Sequence, residues 1–149
     1  DCLKLTSKGI YMALFDLSKN NFSTKAEAGY EFELVSPETF EGTGVFITVR
    51  GDNSPAVKAF GRRKFQEYQQ REAVAKRKGK EVDPMTLDDA EELAVENAVV
   101  RTIGWEGLGD KGVEIPFSKE KAEEIFSTVG YEWIREAVIQ ESSNLRNFL

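Results

Sequence analysis

The chain has 149 residues, 40% of them hydrophobic and 31% charged, with a formal net charge of −6. That length fits one domain with a real core, and the acidity argues against general affinity for nucleic acid or anionic membranes. Histidine is absent and Cys2 is the only cysteine, which excludes His-based triads, His–metal sites and an internal disulfide; no apolar run approaches the roughly 18 residues of a membrane span.

Residues 1–11 (DCLKLTSKGIY) precede Met12, which opens MALFDLSKNNF like a natural start, so they are expected to be a leader outside the fold. Residues 12–29 carry Phe15, Leu17 and Phe22 without a sustained period and read as an extended arm. The expected organisation is a leader and arm over 1–29, then a single α+β domain over 30–149.

YEFELV alternates Tyr30, Phe32 and Leu34 with Glu31 and Glu33, and VFITVR alternates Val45, Ile47 and Val49 with Phe46, Thr48 and Arg50. Both read as half-buried strands, and Pro37, Gly42 and Gly44 between them make a β-hairpin with a long loop. Ser54 and Pro55 then open a helix that runs to about Lys78, where Gly79 ends it. Val57, Phe60 and Tyr68 lie on one face of it, with Phe65 at the edge. Thr86 caps the next helix, with Asp88 and Asp89 in its first turn and a Leu87/Ala90/Ala94/Ala98 stripe that would let another helix approach closely. Ser118 caps a short helix through about Val129, and a last helix runs from Tyr131 toward Leu149. The fold class is therefore α+β: an N-terminal antiparallel hairpin or small sheet, then about four helices with a short β-turn insertion.

The insertion contains GLGDKG at 107–112, which fits the spacing of a dinucleotide-binding loop. Such a loop follows a buried strand and opens a helix. Here a helix precedes the glycines, and VEIPF with Pro116 follows them. GLGDKG reads as a turn between two short extended pieces, TIGWEG and GVEIPF, with Gly107, Gly109 and Gly112 at positive φ. Trp105 and Trp133 read as buried anchors, with a ligand groove as the alternative. Glu120, Glu123, Glu124, Glu132 and Glu136 sit at helix-surface spacings and read as solvated rather than as a glycosidase pair. No catalytic, cofactor or metal site emerges, and the chain is expected not to be an enzyme.

Charge is divided sharply. Residues 58–80 hold nine basic and two acidic side chains, a balance of +7, and residues 81–96 hold seven acidic and no basic ones, a balance of −7. The plain reading is a helical hairpin whose arms attract each other; the alternative is contact with nucleic acid or an acidic partner. Arg62, Arg63, Lys64 and Arg71, with Tyr68, are the candidate partner-facing residues of the first arm. Lys64 and Arg71 lead because they lie close to its apolar stripe. Leu145, Phe148 and Leu149 are expected to be exposed apolar contacts at the chain end.

YEFELVSPETFEGTGVFITVRGDNSPAVKAF and AVVRTIGWEGLGDKGVEIPFSKEKAEEIF, followed by an aromatic helix ending in NF, resemble a family of tail assembly chaperones from long-tailed bacteriophages. The resemblance spans about Gly29 to Phe148 and rests on structural punctuation: a P-x-T turn, G-x-(D/N)-S before a basic helix, GW-x-G and PFS. It implies a non-enzymatic protein in the cytoplasm of the bacterial host. Its partners would be the tape-measure protein and the tail tube protein, with a homo-oligomer as a further option, and a frameshifted longer form is common in the family. The competing readings are a virion component, such as a head–tail connector or tail-completion protein, and a nucleic-acid-binding regulator. Calorimetric titration with NAD or ATP is expected to give no saturable heat, since GLGDKG is a turn; saturable binding of either nucleotide would overturn that reading.

Overall fold

The computed structural model describes residues 3–5 and 11–149. Strand β1 (Leu3–Leu5) pairs antiparallel with β2 (Tyr11–Ala13), and residues 1, 2 and 6–10 of the expected leader lie outside the described residues. The expected extended arm is corrected. Leu17–Asn20 makes a 3-10 turn capped by Asp16, and Ser23–Ala28 forms a short helix, α1. Six residues are too few to show a period or to be stable alone. Packing decides instead: Ala26 is buried, and its carbonyl accepts from the Gly51 amide at 3.0 Å.

Strands β3 (Tyr30–Val35) and β4 (Gly42–Val49) pair antiparallel with Phe32 opposite Ile47, and Leu34, Val45, Ile47 and Val49 are buried as their alternation predicts. A third strand, β5 (Thr102–Glu106), completes the order β3–β4–β5. Helix α2 (Pro55–Arg77) starts where expected, with the Ser54 hydroxyl accepting from the Ala56 amide. Helix α3 (Leu87–Arg101) begins with a capping box between Thr86 and Asp89. It runs directly into β5, where the Thr102 hydroxyl donates to the Ala98 carbonyl at 2.8 Å.

Of the Leu87/Ala90/Ala94/Ala98 stripe only Ala98 is buried, and α3 packs instead through Val95 and Ala98. Its first turns run beside α2 beyond the core, so nothing covers Leu87. Helices α4 (Lys119–Ser127) and α5 (Glu132–Ser142) pack against α3, and α5 crosses the sheet, bringing Phe126, Ile134 and Val138 into one core with Ile47 and Val49. The described residues thus hold an antiparallel sheet followed by a mainly helical region, an α+β fold with five helices. The expected last helix stops at Ser142, and a 3-10 turn over Leu145–Phe148 folds the end back. Phe148 is therefore not an exposed contact. It is buried, edge-on to Tyr30 at 6.1 Å, over a Gly51 whose missing Cβ would meet its ring at 2.9 Å.

GLGDKG is a turn. Strands β6 (Gly109–Asp110) and β7 (Val113–Glu114) pair around Lys111 and Gly112, at φ 52° and 80°. Two successive positive φ values match the twist that a two-residue hairpin needs. Gly109 is not at positive φ; it is strand backbone. The excursion is stitched down by Trp105, whose indole donates to the Ile115 carbonyl at 2.8 Å and stands edge-on to Phe117 at 4.8 Å.

The connection from β4 to α2 holds the helices to the sheet. Arg50 donates from its amide to the Arg101 carbonyl at 2.7 Å and from its guanidinium to the Val100 carbonyl at 2.9 Å. The same guanidinium meets Glu27 of α1 at 3.2 Å, and Glu27 also accepts from the buried Ser54 hydroxyl. Ser142 of α5 donates to the Arg50 carbonyl and accepts from Arg101 at 2.9 Å, while Arg101 pairs with Asp52. Among the described residues no buried side-chain nitrogen or oxygen is left without a partner.

A Cβ at Gly107 (φ 81°) would sit 2.4 Å from the Gly44 carbonyl oxygen, whereas one at Gly112 meets open space. Gly107→Ala should therefore cost more in urea unfolding than Gly112→Ala, which bears only the backbone strain of about 1–3 kcal/mol. The Ser54 hydroxyl, then the Ala56 amide and Arg50, hold the Glu27 carboxyl below its ordinary value of 4.5. Its stabilisation is complete above the unfolded pKa and is lost as pH falls through the lower folded value. Glu27→Gln should lower Tm at pH 7, and the gap to wild type should close on acidification below pH of about 4; an unchanged gap would contradict this.

Candidate interaction surface

Helix α2 has 23 residues and is about 35 Å long at 1.5 Å per residue. Only Val57 and Phe60 of it are buried, so from Gly61 onward it leaves the core with α3 alongside. Spacing of three and four along α2 turns Lys64, Tyr68, Arg71 and Ala75 toward α3. The structure brings Lys64, Tyr68 and Arg71 together on this face.

Lys64 pairs with Glu96 of α3 and lies 3.3 Å from Glu67, and the Glu96 carboxylate holds its ammonium above the usual lysine range. Arg63 rests over the Phe60 ring at 5.4 Å and reaches Glu67 at 4.0 Å. The Arg71 guanidinium lies over the Tyr68 ring at 5.9 Å. The Thr86 amide, with a further contribution from the Arg71 charge, keeps Asp89 below its ordinary range. Arg62 is exposed and has no ion-pair partner among the described residues.

The arms of opposite charge touch less than their sequence suggests. Lys64–Glu96 is the ion pair between α2 and α3 among the described residues, and beyond it the arms enclose an open groove. Tyr68, Val74, Met85 and Leu93 line it. Phe65, Met85 and Leu87 nearby are 62%, 60% and 80% exposed. Val74, Met85 and Leu93 escaped the sequence reading. Their signal was present, because Lys64, Tyr68, Arg71, Ala75 and Lys78 share a helical spacing with Met85, Asp89, Glu92 and Glu96 in antiparallel order.

The second predicted group does not join the first. Leu145 and Leu149 are exposed, but Phe148 is packed against Tyr30 and Gly51 at the base of α2. Tyr68 stands about 21 Å further along that helix from Ser54. Phe40, 82% exposed with φ 58°, tips the β3–β4 loop and carried no sequence signal. Among the described residues no group of three or more acidic, Cys or His side chains converges to hold a metal, and no helix is long and apolar enough to cross a membrane.

Residues 55–149 match the family described as YdaY prophage protein. The chain belongs to this family, and it is a prophage protein. The matched segment begins at Pro55, the first residue of α2, so the whole α2–α3 hairpin and the chain end fall within it. No curated protein and no solved structure matches the chain.

The Lys64 and Glu96 side chains are 26% and 32% exposed, which keeps their pairing from full solvent screening. A double-mutant cycle with Lys64→Met and Glu96→Gln should give a coupling of about 0.5–1 kcal/mol that shrinks in high salt. A coupling of zero at low salt would show that the pair does not hold the arms.

Proposed function

We propose that this prophage protein is a tail assembly chaperone that binds the tape-measure protein and helps recruit tail tube subunits in the host cytoplasm, without catalysis. The observation that supports this reading best is the hairpin. Its outer half presents Phe65, Tyr68, Val74, Met85 and Leu87 to solvent among charged side chains on both arms. A monomer without a partner gains nothing from displaying such side chains together, whereas a long amphipathic helical client is bound by apolar contacts rimmed with charge. The resemblance of its strand, turn and helix-start motifs to the tail assembly chaperones points the same way, and membership of a prophage family is compatible with it.

Co-expression with the tape-measure protein of the same prophage tests the reading. The expected result is that the client moves from the insoluble to the soluble fraction with this chain and stays insoluble without it. Stoichiometric presence of the chain in purified virions would favour a head–tail connector or tail-completion role and overturn the proposal. A salt-sensitive shift of DNA or RNA would favour the regulator instead.

A further inference from the structure

The groove between the outer halves of α2 and α3 has rims of opposite sign. Glu67 of α2 lines it but is paired with Lys64 and Arg63. Beyond it Arg71 and Lys78 line the groove from the α2 side, Asp89 and Glu92 from α3, and Lys80 and Glu81 from the loop that joins them. None of these last six side chains forms an ion pair within 4.0 Å among the described residues, although the rims are near enough for the Arg71 charge to act on Asp89. The ion pair that does cross, Lys64–Glu96, lies at the closed end, where the arms leave the core. The apolar floor and the oppositely charged rims together define what fits between them.

We propose that this groove binds an amphipathic helix with an apolar stripe, an acidic flank and a basic flank, and that the two rims fix the direction in which the helix lies. The inference rests on the chaperone reading for the source of that helix, the tape-measure protein, but not for its chemistry. An occupant with acidic residues on both sides would meet like charge along α3, and one with basic residues on both sides would meet it along α2. Only a split helix satisfies both rims, and only in one direction, because reversing the helix exchanges its flanks. A second copy of this hairpin is a poorer occupant, since its charges are separated between two helices rather than across one.

The test uses the full chain and three designed helical peptides of about 18 residues, or five turns. All share a Leu stripe; one has a Glu flank and a Lys flank, one has Glu on both flanks and one has Lys on both. Fluorescence anisotropy should show the split peptide binding at least about tenfold more tightly than either of the others. Arg71→Glu with Lys78→Glu makes both rims acidic and should shift the preference to the all-Lys peptide. If circular dichroism shows that this variant is unfolded, Arg71→Gln with Lys78→Gln should still abolish discrimination between the split and all-Lys peptides. Equal affinity for all three peptides, or an unchanged preference in the folded variant, would overturn the inference. Failure here with a solubilised tape-measure protein would leave the chaperone reading standing; success here with an insoluble one would leave the groove standing and remove its assigned client.

Discussion

The architecture depends on how residues 50–54 are held. This connection hands the chain from the middle strand of the sheet to the longest helix, and three separate segments, α1, the end of α3 and α5, converge on it. Arg50 reaches α1 and the end of α3, Ser54 meets Glu27, and Ser142 of α5 ties the Arg50 carbonyl to Arg101. Buried hydroxyls and a half-buried arginine are costly unless each is paired, and here each is. The consequence is geometric. With its first turn clamped by Glu27 and Ser54, α2 leaves the core in a fixed direction, and the Lys64–Glu96 pair brings α3 back beside it.

That arrangement divides the molecule into a packed base and a projecting hairpin with different chemistry. At the base, Phe126, Val138, Ile47 and Val49 are all but completely buried. On the hairpin, apolar side chains stand in solvent between charged rims that meet in an ion pair only at Lys64–Glu96 among the described residues. Such a surface has no part in the stability of the base, and a partner gives it a physical reason to exist. Prophage membership is compatible with the proposed picture, a small adaptor whose outer arm meets a helical protein.

Much of the base was legible in the sequence. Period-two alternation marked β3 and β4, Ser54–Pro55 and Thr86 marked two helix starts, and the order of elements around GLGDKG identified it as a turn. The failures have local causes. Helix α1 is under two turns long, and packing against Gly51 rather than periodicity makes it helical. Phe148 was expected to be exposed as part of a chain end, but a 3-10 turn and a glycine opposite its ring allow it to dock. Of the Leu87–Ala98 stripe only Ala98 is buried, since spacing cannot report how far a helix extends beyond its core. For the candidate surface, the charge blocks and Lys64 were readable. The groove was not, because nothing in the composition says whether two attracting arms close on each other or stay apart.

On the proposed function, the protein meets its client through the hairpin and not through the chain end. A photo-crosslinking amino acid placed at Tyr68 or at Leu145, in full chains co-expressed with the tape-measure protein, tests this directly. A covalent adduct with the tape-measure protein, identified by mass spectrometry, is predicted from position 68 and none from position 145. An adduct from position 145 with none from position 68 would contradict docking on the hairpin.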